Sequence, residues 1–191
     1  MRINLLRTIR LDPSDGFVFD PPASPGEWAV TGAFMFTDSD PALLSRRAQQ
    51  AFRAGFLGLT SFGWSTLAVV VQASPQERAD AVTALAQYLL DKQGAPSIEV
   101  ARSAAEDEIA YAQTLAQHPV QTLVALHRTV TASGDIREQF RTLSAATART
   151  DSKMPCSAGA FAIVEDEDSA ALEPGDVDLA ALARAMPRGR P

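Results

Sequence analysis

The sequence predicts an α+β domain, an antiparallel sheet covered on one face by two or three helices, followed by an acidic C-terminal appendage. Three observations carry this expectation. The first 36 residues are rich in alternating, β-branched and aromatic positions broken by Pro/Gly turns. Two stretches between residues 74 and 119 combine helix caps with apolar residues at helical spacing. After Leu143 the composition becomes small, polar and then acidic. The expected organisation is therefore a domain over residues 1–143, a linker over 144–157 and an appendage over 158–191.

Ile3 to Leu11 reads as a strand, Asp12-Pro13-Ser14-Asp15-Gly16 as a turn, and Phe17-Val18-Phe19 as a second short strand. After a loop holding Pro21, Pro22, Pro25 and Gly26, Glu27 to Phe36 reads as a further strand. Gly32 within it marks a bulge or a close backbone approach. Asp40 with Pro41 predicts a helix start, and Gly55 its end. Ser74-Pro75-Gln76-Glu77 is a capping box opening a helix in which Val82, Leu85, Ala86, Leu89 and Leu90 follow helical spacing. A third helix is expected from Ser103, with Glu106 as its reciprocal cap, to His118-Pro119. Between Gln121 and Thr142, β-branched residues flank Ser133-Gly134-Asp135, which favours a β-hairpin over a helix. Beyond it, Ala158 to Val164 suits a short strand and Val177 to Met186 a short helix.

Composition narrows the function classes. The chain has 191 residues, 46% hydrophobic and 21% charged, which fits one globular domain with an addition rather than a disordered chain or disulfide scaffold. Its net charge is −6, but residues 150–191 hold 8 acidic and 4 basic residues, so the first 149 are nearly neutral. A nucleic-acid partner is not expected from that balance. Cys156 stands alone, which excludes an intrachain disulfide and a cysteine zinc site. The N-terminus lacks the apolar core of a signal peptide, so the cytoplasm is the expected compartment. Ala54 to Gln76 is uncharged and long enough to span a bilayer, but its glycines, hydroxyls and terminal proline favour a buried turn and strand. No membrane association is expected.

Few strings carry chemistry. Gly55-Phe56-Leu57-Gly58-Leu59-Thr60-Ser61-Phe62-Gly63-Trp64-Ser65-Thr66 offers backbone amides and hydroxyls to an anion. It lacks the Gly-Lys-Ser/Thr ending of a phosphate loop and misses the nucleophile elbow by one residue, so a tight connection with core aromatics competes with a binding role. Arg128, Arg137 and Arg141 lie in the hairpin, and the last two share a face suited to a carboxylate or phosphate. Pairing with Glu138 or plain solvation is the alternative. Glu106-Asp107-Glu108 is explained by a helix first turn. His118 and His127, the only histidines, do not stand at metal-ligand spacing from these acids. No cofactor or metal is expected. Nothing near Cys156 lowers its thiol pKa, and Glu165-Asp166-Glu167-Asp168 lacks the order of a calcium loop.

Three further strings resemble a small bacterial family known only as a domain of unknown function. They are Pro25-Gly26-Glu27-Trp28-Ala29-Val30-Thr31-Gly32-Ala33-Phe34, Gln50 to Gly58 with Ser61-Phe62-Gly63, and Ile136 to Leu143. The resemblance covers about residues 3–143. It implies an accessory role near formate dehydrogenase assembly and a biotin/lipoate-ligase-like protein, and supplies no catalytic residue.

The expected function is a non-catalytic binding or accessory protein that assists assembly or maturation of a redox enzyme such as formate dehydrogenase through a protein partner. Candidate contacts are Trp28, Phe56, Gly58, Ser61, Gly63, Trp64, Arg128, Arg137 and Arg141. The competing expectations are a binder of small anionic ligands or a small enzyme with a pocket near Gly55–Thr66, and a structural homo-oligomer.

Overall fold

The computed structural model describes residues 3–37, 39–132, 134–145 and 161–164. Its architecture is α+β, as predicted. Strands β1 (Ile3–Ile9), β2 (Trp28–Val30), β3 (Phe56–Gly58), β4 (Trp64–Ser65), β5 (Leu67–Ala73), β6 (Leu123–Val130), β7 (Ile136–Ala145) and β8 (Phe161–Val164) form one antiparallel sheet. Their order is β4-β3-β2-β1-β5-β6-β7-β8. Helices α2 (Arg46–Ala54), α3 (Pro75–Lys92) and α4 (Ile98–Leu115) pack around it, α4 against β1 and β2, α3 against α4, and α2 against β6. No described helix is long and apolar enough to cross a membrane, and the uncharged stretch after Ala54 supplies β3, β4 and β5.

The central strands are buried on both faces. Leu5 and Leu6 point to opposite sides of β1 yet are 2% and 0% exposed. Leu5, Val30, Leu57 and Ala73 join one apolar cluster with α2, α3 and α4. Leu6, Ala29, Phe56, Val70, Val124 and Leu126 form a second on the other side, closed by Leu115, Ala116 and Phe140. Two strands separate β2 from β6, a gap of about 14 Å in a flat sheet and beyond the reach of one side chain. Nevertheless the Arg128 guanidinium on β6 donates to the carbonyl of Thr31 at the end of β2. The sheet therefore curls toward the face that carries Arg128.

Four local expectations are corrected. Phe17-Val18-Phe19 is not a strand: Asp15–Val18 is one helical turn (α1), set by Asp12 accepting from the Ser14 amide at 2.7 Å. This turn buries Asp15 and Phe19 and leaves Phe17 77% exposed. The strand expected over Glu27–Phe36 stops at Val30, because Gly32 takes φ 73° and turns the chain into a 3₁₀ turn, Ala33–Phe36. That turn swings Phe36 onto Trp64 and Phe52, with ring centroids 5.2 and 5.4 Å away. Gly32 is nonetheless a point of close approach, since an added Cβ would lie 2.8 Å from the Leu57 Cβ. The single helix expected from Asp40 is two pieces. Asp40 caps only a 3₁₀ turn, Pro41–Leu43, Leu44 is extended, and Ser45 caps α2 through the Ala48 amide.

The fourth correction concerns α4, which begins at Ile98 rather than Ser103, capped by Ser97 on the Val100 amide. The alanines at 101 and 105 extend its buried stripe backward. Glu106-Asp107-Glu108 consequently sits in mid-helix and not in a first turn. The capping box at Ser74, the hairpin of β6 and β7, and the short strand before Glu165 all appear as expected. Strand β7 continues to Ala145 and pairs with β8, with Thr142 opposite Val164. The expected helix at Val177–Met186 and most of the appendage lie outside the described residues.

Candidate functional site

The glycine-rich loop between β3 and β4 does bind an anion, and the anion belongs to the chain. Glu27, immediately before β2, accepts the amides of Thr60 at 2.9 Å and Ser61 at 2.8 Å on one carboxylate oxygen. Its other oxygen accepts the Ser24 amide at 2.7 Å. Burial opposes the charged form, but hydrogen bonds from the Ser61 amide and hydroxyl, Thr60 and Ser24 outweigh it and hold the carboxyl below its ordinary range. Gly58 and Gly63 serve this packing. A Cβ at Gly58 would lie 2.6 Å from the Glu27 carboxylate, and one at Gly63 would lie 2.5 Å from the Pro22 backbone. Sequence reasoning does not find Glu27, because its amide donors lie 33 and 34 residues away. Its complement, a loop of open amides, was the signal.

The aromatic residues of the predicted site divide between core and surface. Phe56 and Trp64 are buried, and Trp64 lies over Gly32 and Gly55. Trp28 is half-buried beneath the Arg7 guanidinium, 3.8 Å from its ring centroid, and Arg7 also meets Glu77 at 3.3 Å.

The three hairpin arginines are not brought together. Arg137 and Arg141 are exposed on one face of β7, opposite Thr129 and Ala125. Arg128 projects from the other face and is 1% exposed. It donates to the carbonyls of Ala51, Phe52 and Gly55 at 3.3, 3.0 and 3.0 Å, closing the C-terminal end of α2. Its Nε meets Glu138 at 2.7 Å on the adjacent strand, the pairing weighed against an anion site. Arg128 is thus a strap across α2, β2 and β7.

Beside that strap sits a set of groups whose chemistry the sequence concealed. Burial, with the nearby Glu138 carboxylate adding to it, raises Glu108 on α4 to about 7, and one of its oxygens is buried without a partner. Burial raises Tyr111 to about 12, again with Glu138 contributing. No spacing rule flags Glu108, because its neighbours on β6 and β7 are distant in sequence. Among the described residues no group of His, Cys, Asp and Glu could hold a metal ion.

An open groove of about 390 Å³ lies between α2 and the end of β6. Pro41, Ala42, Gln49, Phe52 and Arg53 form one side and residues 127–130 the other. Arg128 lines it, whereas Ser61 is not among its lining residues. Leu43, next to the groove in sequence, is 84% exposed.

Fold and site together define a small α+β domain whose conspicuous polar groups are tied into its own architecture. The chain belongs to the family of unknown function DUF6505, whose model matches residues 2–155. The match includes the segment of resemblance read from the sequence and extends beyond it. No curated protein and no solved structure matches the chain.

Proposed function

We propose that this protein is a non-catalytic, cytoplasmic binding or accessory protein that works through a protein partner. One observation carries this reading. The groups best suited to hold an anionic substrate, the amides of the Gly55–Thr66 loop and the Arg128 guanidinium, are already engaged by Glu27, Glu138 and the end of α2. A groove lined by Pro41, Ala42 and Arg53 stays open, and Leu43, the next residue in the chain after Ala42, is exposed. Exposed apolar side chains with a cationic rim suit a protein surface better than a reaction.

Assembly or maturation of a redox enzyme such as formate dehydrogenase is the proposed setting, drawn from the family resemblance. Deletion of the gene in its host is expected to lower formate dehydrogenase activity and cofactor content. Wild-type protein restores both, and Leu43→Asp does not. Unchanged activity and cofactor content on deletion would sink the setting. Turnover of a small molecule by the purified protein, abolished by Ser61→Ala or Arg141→Ala, would sink the non-catalytic reading.

A further inference from the structure

Strand β6 outruns its neighbour. Strand β5 pairs with it only through Leu67–Ala125, Ala68–Val124 and Val69–Leu123, whereas β6 continues to Val130. On that side Leu126–Val130 meets no strand among the described residues, and its ladder runs to β7 alone. The open edge is five residues, about 16 Å of extended chain. Helix α2 packs against β6 near Arg128, and the groove opens between them, lined by Gln49, Phe52 and Arg53 of α2 and by residues 127–130.

Unpaired strand edges present backbone donors and acceptors in a row and accept an added strand. The surroundings state what kind. Phe52, Pro41 and Val130 offer apolar contact, and Val130 is 41% exposed. Arg53 and His127 line the same groove, Arg137 stands opposite Thr129, and no carboxylate is among the lining residues. Neither Arg53 nor Arg137 has an ion pair among the described residues.

We infer that Leu126–Val130 receives an extended segment of a partner protein as an added strand, and that this segment alternates acidic with β-branched apolar residues. The inference rests on the binding-protein reading and adds the mode and chemistry of its partner. Backbone hydrogen bonds to β6 hold the segment, the apolar side chains face Phe52 and Val130, and the carboxylates face Arg53 and Arg137.

The full chain would be mixed with an eight-residue peptide alternating Glu and Val, and hydrogen exchange followed by mass spectrometry. The expected result is slowed exchange at residues 126–130. Affinity should fall at least tenfold on Arg53→Glu, and again when a central Val of the peptide is replaced by Pro, which cannot donate. Absence of binding, binding that leaves 126–130 unprotected, or equal binding of a Lys/Val peptide overturns the inference. Residues 126–130 already slow in the free chain, and released by neutralising Glu165 to Asp168, would place the chain's own acidic run there and also overturn it. These outcomes are separable from the gene-deletion result, which tests the binding reading without reference to the edge of β6.

Discussion

Glu27 and Ser61 stand 34 residues apart, yet the carboxylate of one accepts the amide of the other at 2.8 Å, so the loop's anion site is filled from within. Replacing Glu27 with Gln keeps the shape and removes the charge. One acceptor oxygen becomes an amide that faces other donors, Thr60 and Ser61 on one side or Ser24 on the other. A loss of roughly 1–3 kcal/mol is expected in urea unfolding at pH 7. The Glu27 carboxyl titrates below its unfolded value, so its contribution is present above about pH 4.5 and lost as pH falls through the folded value. Glu27→Gln should lack that acid-side loss.

Arg128 replaced by Met should cost more. The substitution leaves Glu138 without its guanidinium and uncovers the carbonyls of Phe52, Gly55 and Thr31, while Ala51 keeps the Gly55 amide. Breaking one side of a buried pair typically costs about 3–5 kcal/mol. Arg128→Lys should recover only part, since one ammonium cannot serve partners on α2, β2 and β7 at once. Urea midpoints of the three proteins would rank wild type, Lys, Met; equal midpoints for Lys and wild type would remove the geometric explanation.

Glu108 has the opposite sign to Glu27. Its folded carboxyl titrates near 7 and its unfolded one near 4.5. The folded state therefore holds a proton that the unfolded state has released across that window. Stability declines as pH rises from about 4.5 to about 7 and is flat above, a change of roughly 3 kcal/mol for one group. Glu108→Gln mimics the protonated acid and should stabilise the protein at pH 8 while flattening this slope. A variant with the wild-type slope would assign the pH dependence to another group.

Glycines 63 and 16 make a paired control. Alanine at 63 would drive a Cβ to 2.5 Å from the Pro22 backbone, whereas at 16 nothing lies within 4 Å. Gly63→Ala should destabilise by about 1–3 kcal/mol or more, as overpacking does. Gly16→Ala, in the helical turn α1, should be neutral or stabilising by up to about 1 kcal/mol. Thermal unfolding of both distinguishes close approach from a general intolerance of substitution.

Legibility followed the range of the interactions. Ser74 and Glu77 lie three residues apart and satisfy each other, so the α3 start could be read locally. The β6–β7 hairpin was equally local, decided by its β-branched residues and turn. By contrast, Phe17-Val18-Phe19 had strand composition but no partner strand, and Asp15 is held by Thr66, 51 residues away. Ser103 and Glu106 matched a cap, but Ser97 opened the helix earlier because Ala101 and Ala105 belong to the buried stripe. The site obeyed the same logic. The loop's open amides and hydroxyls were legible as groups suited to an anion, and their ligand was not, because nothing local links Glu27 to Thr60. Alternation placed Arg137 and Arg141 on one face, while the destination of Arg128 depended on how far the sheet curls.

The strap made by Arg128 also bears on the order in which the chain can be completed. Its contacts join residue 128 to positions 73 to 97 residues earlier. During synthesis the carbonyls of Ala51, Phe52 and Gly55 emerge long before their donor, and Glu138 follows ten residues after it. Until the hairpin arrives, water must close the end of α2. The N-terminal half of this domain is thus left unfinished by its own sequence, and the late hairpin, rather than any early helix, is what seals it.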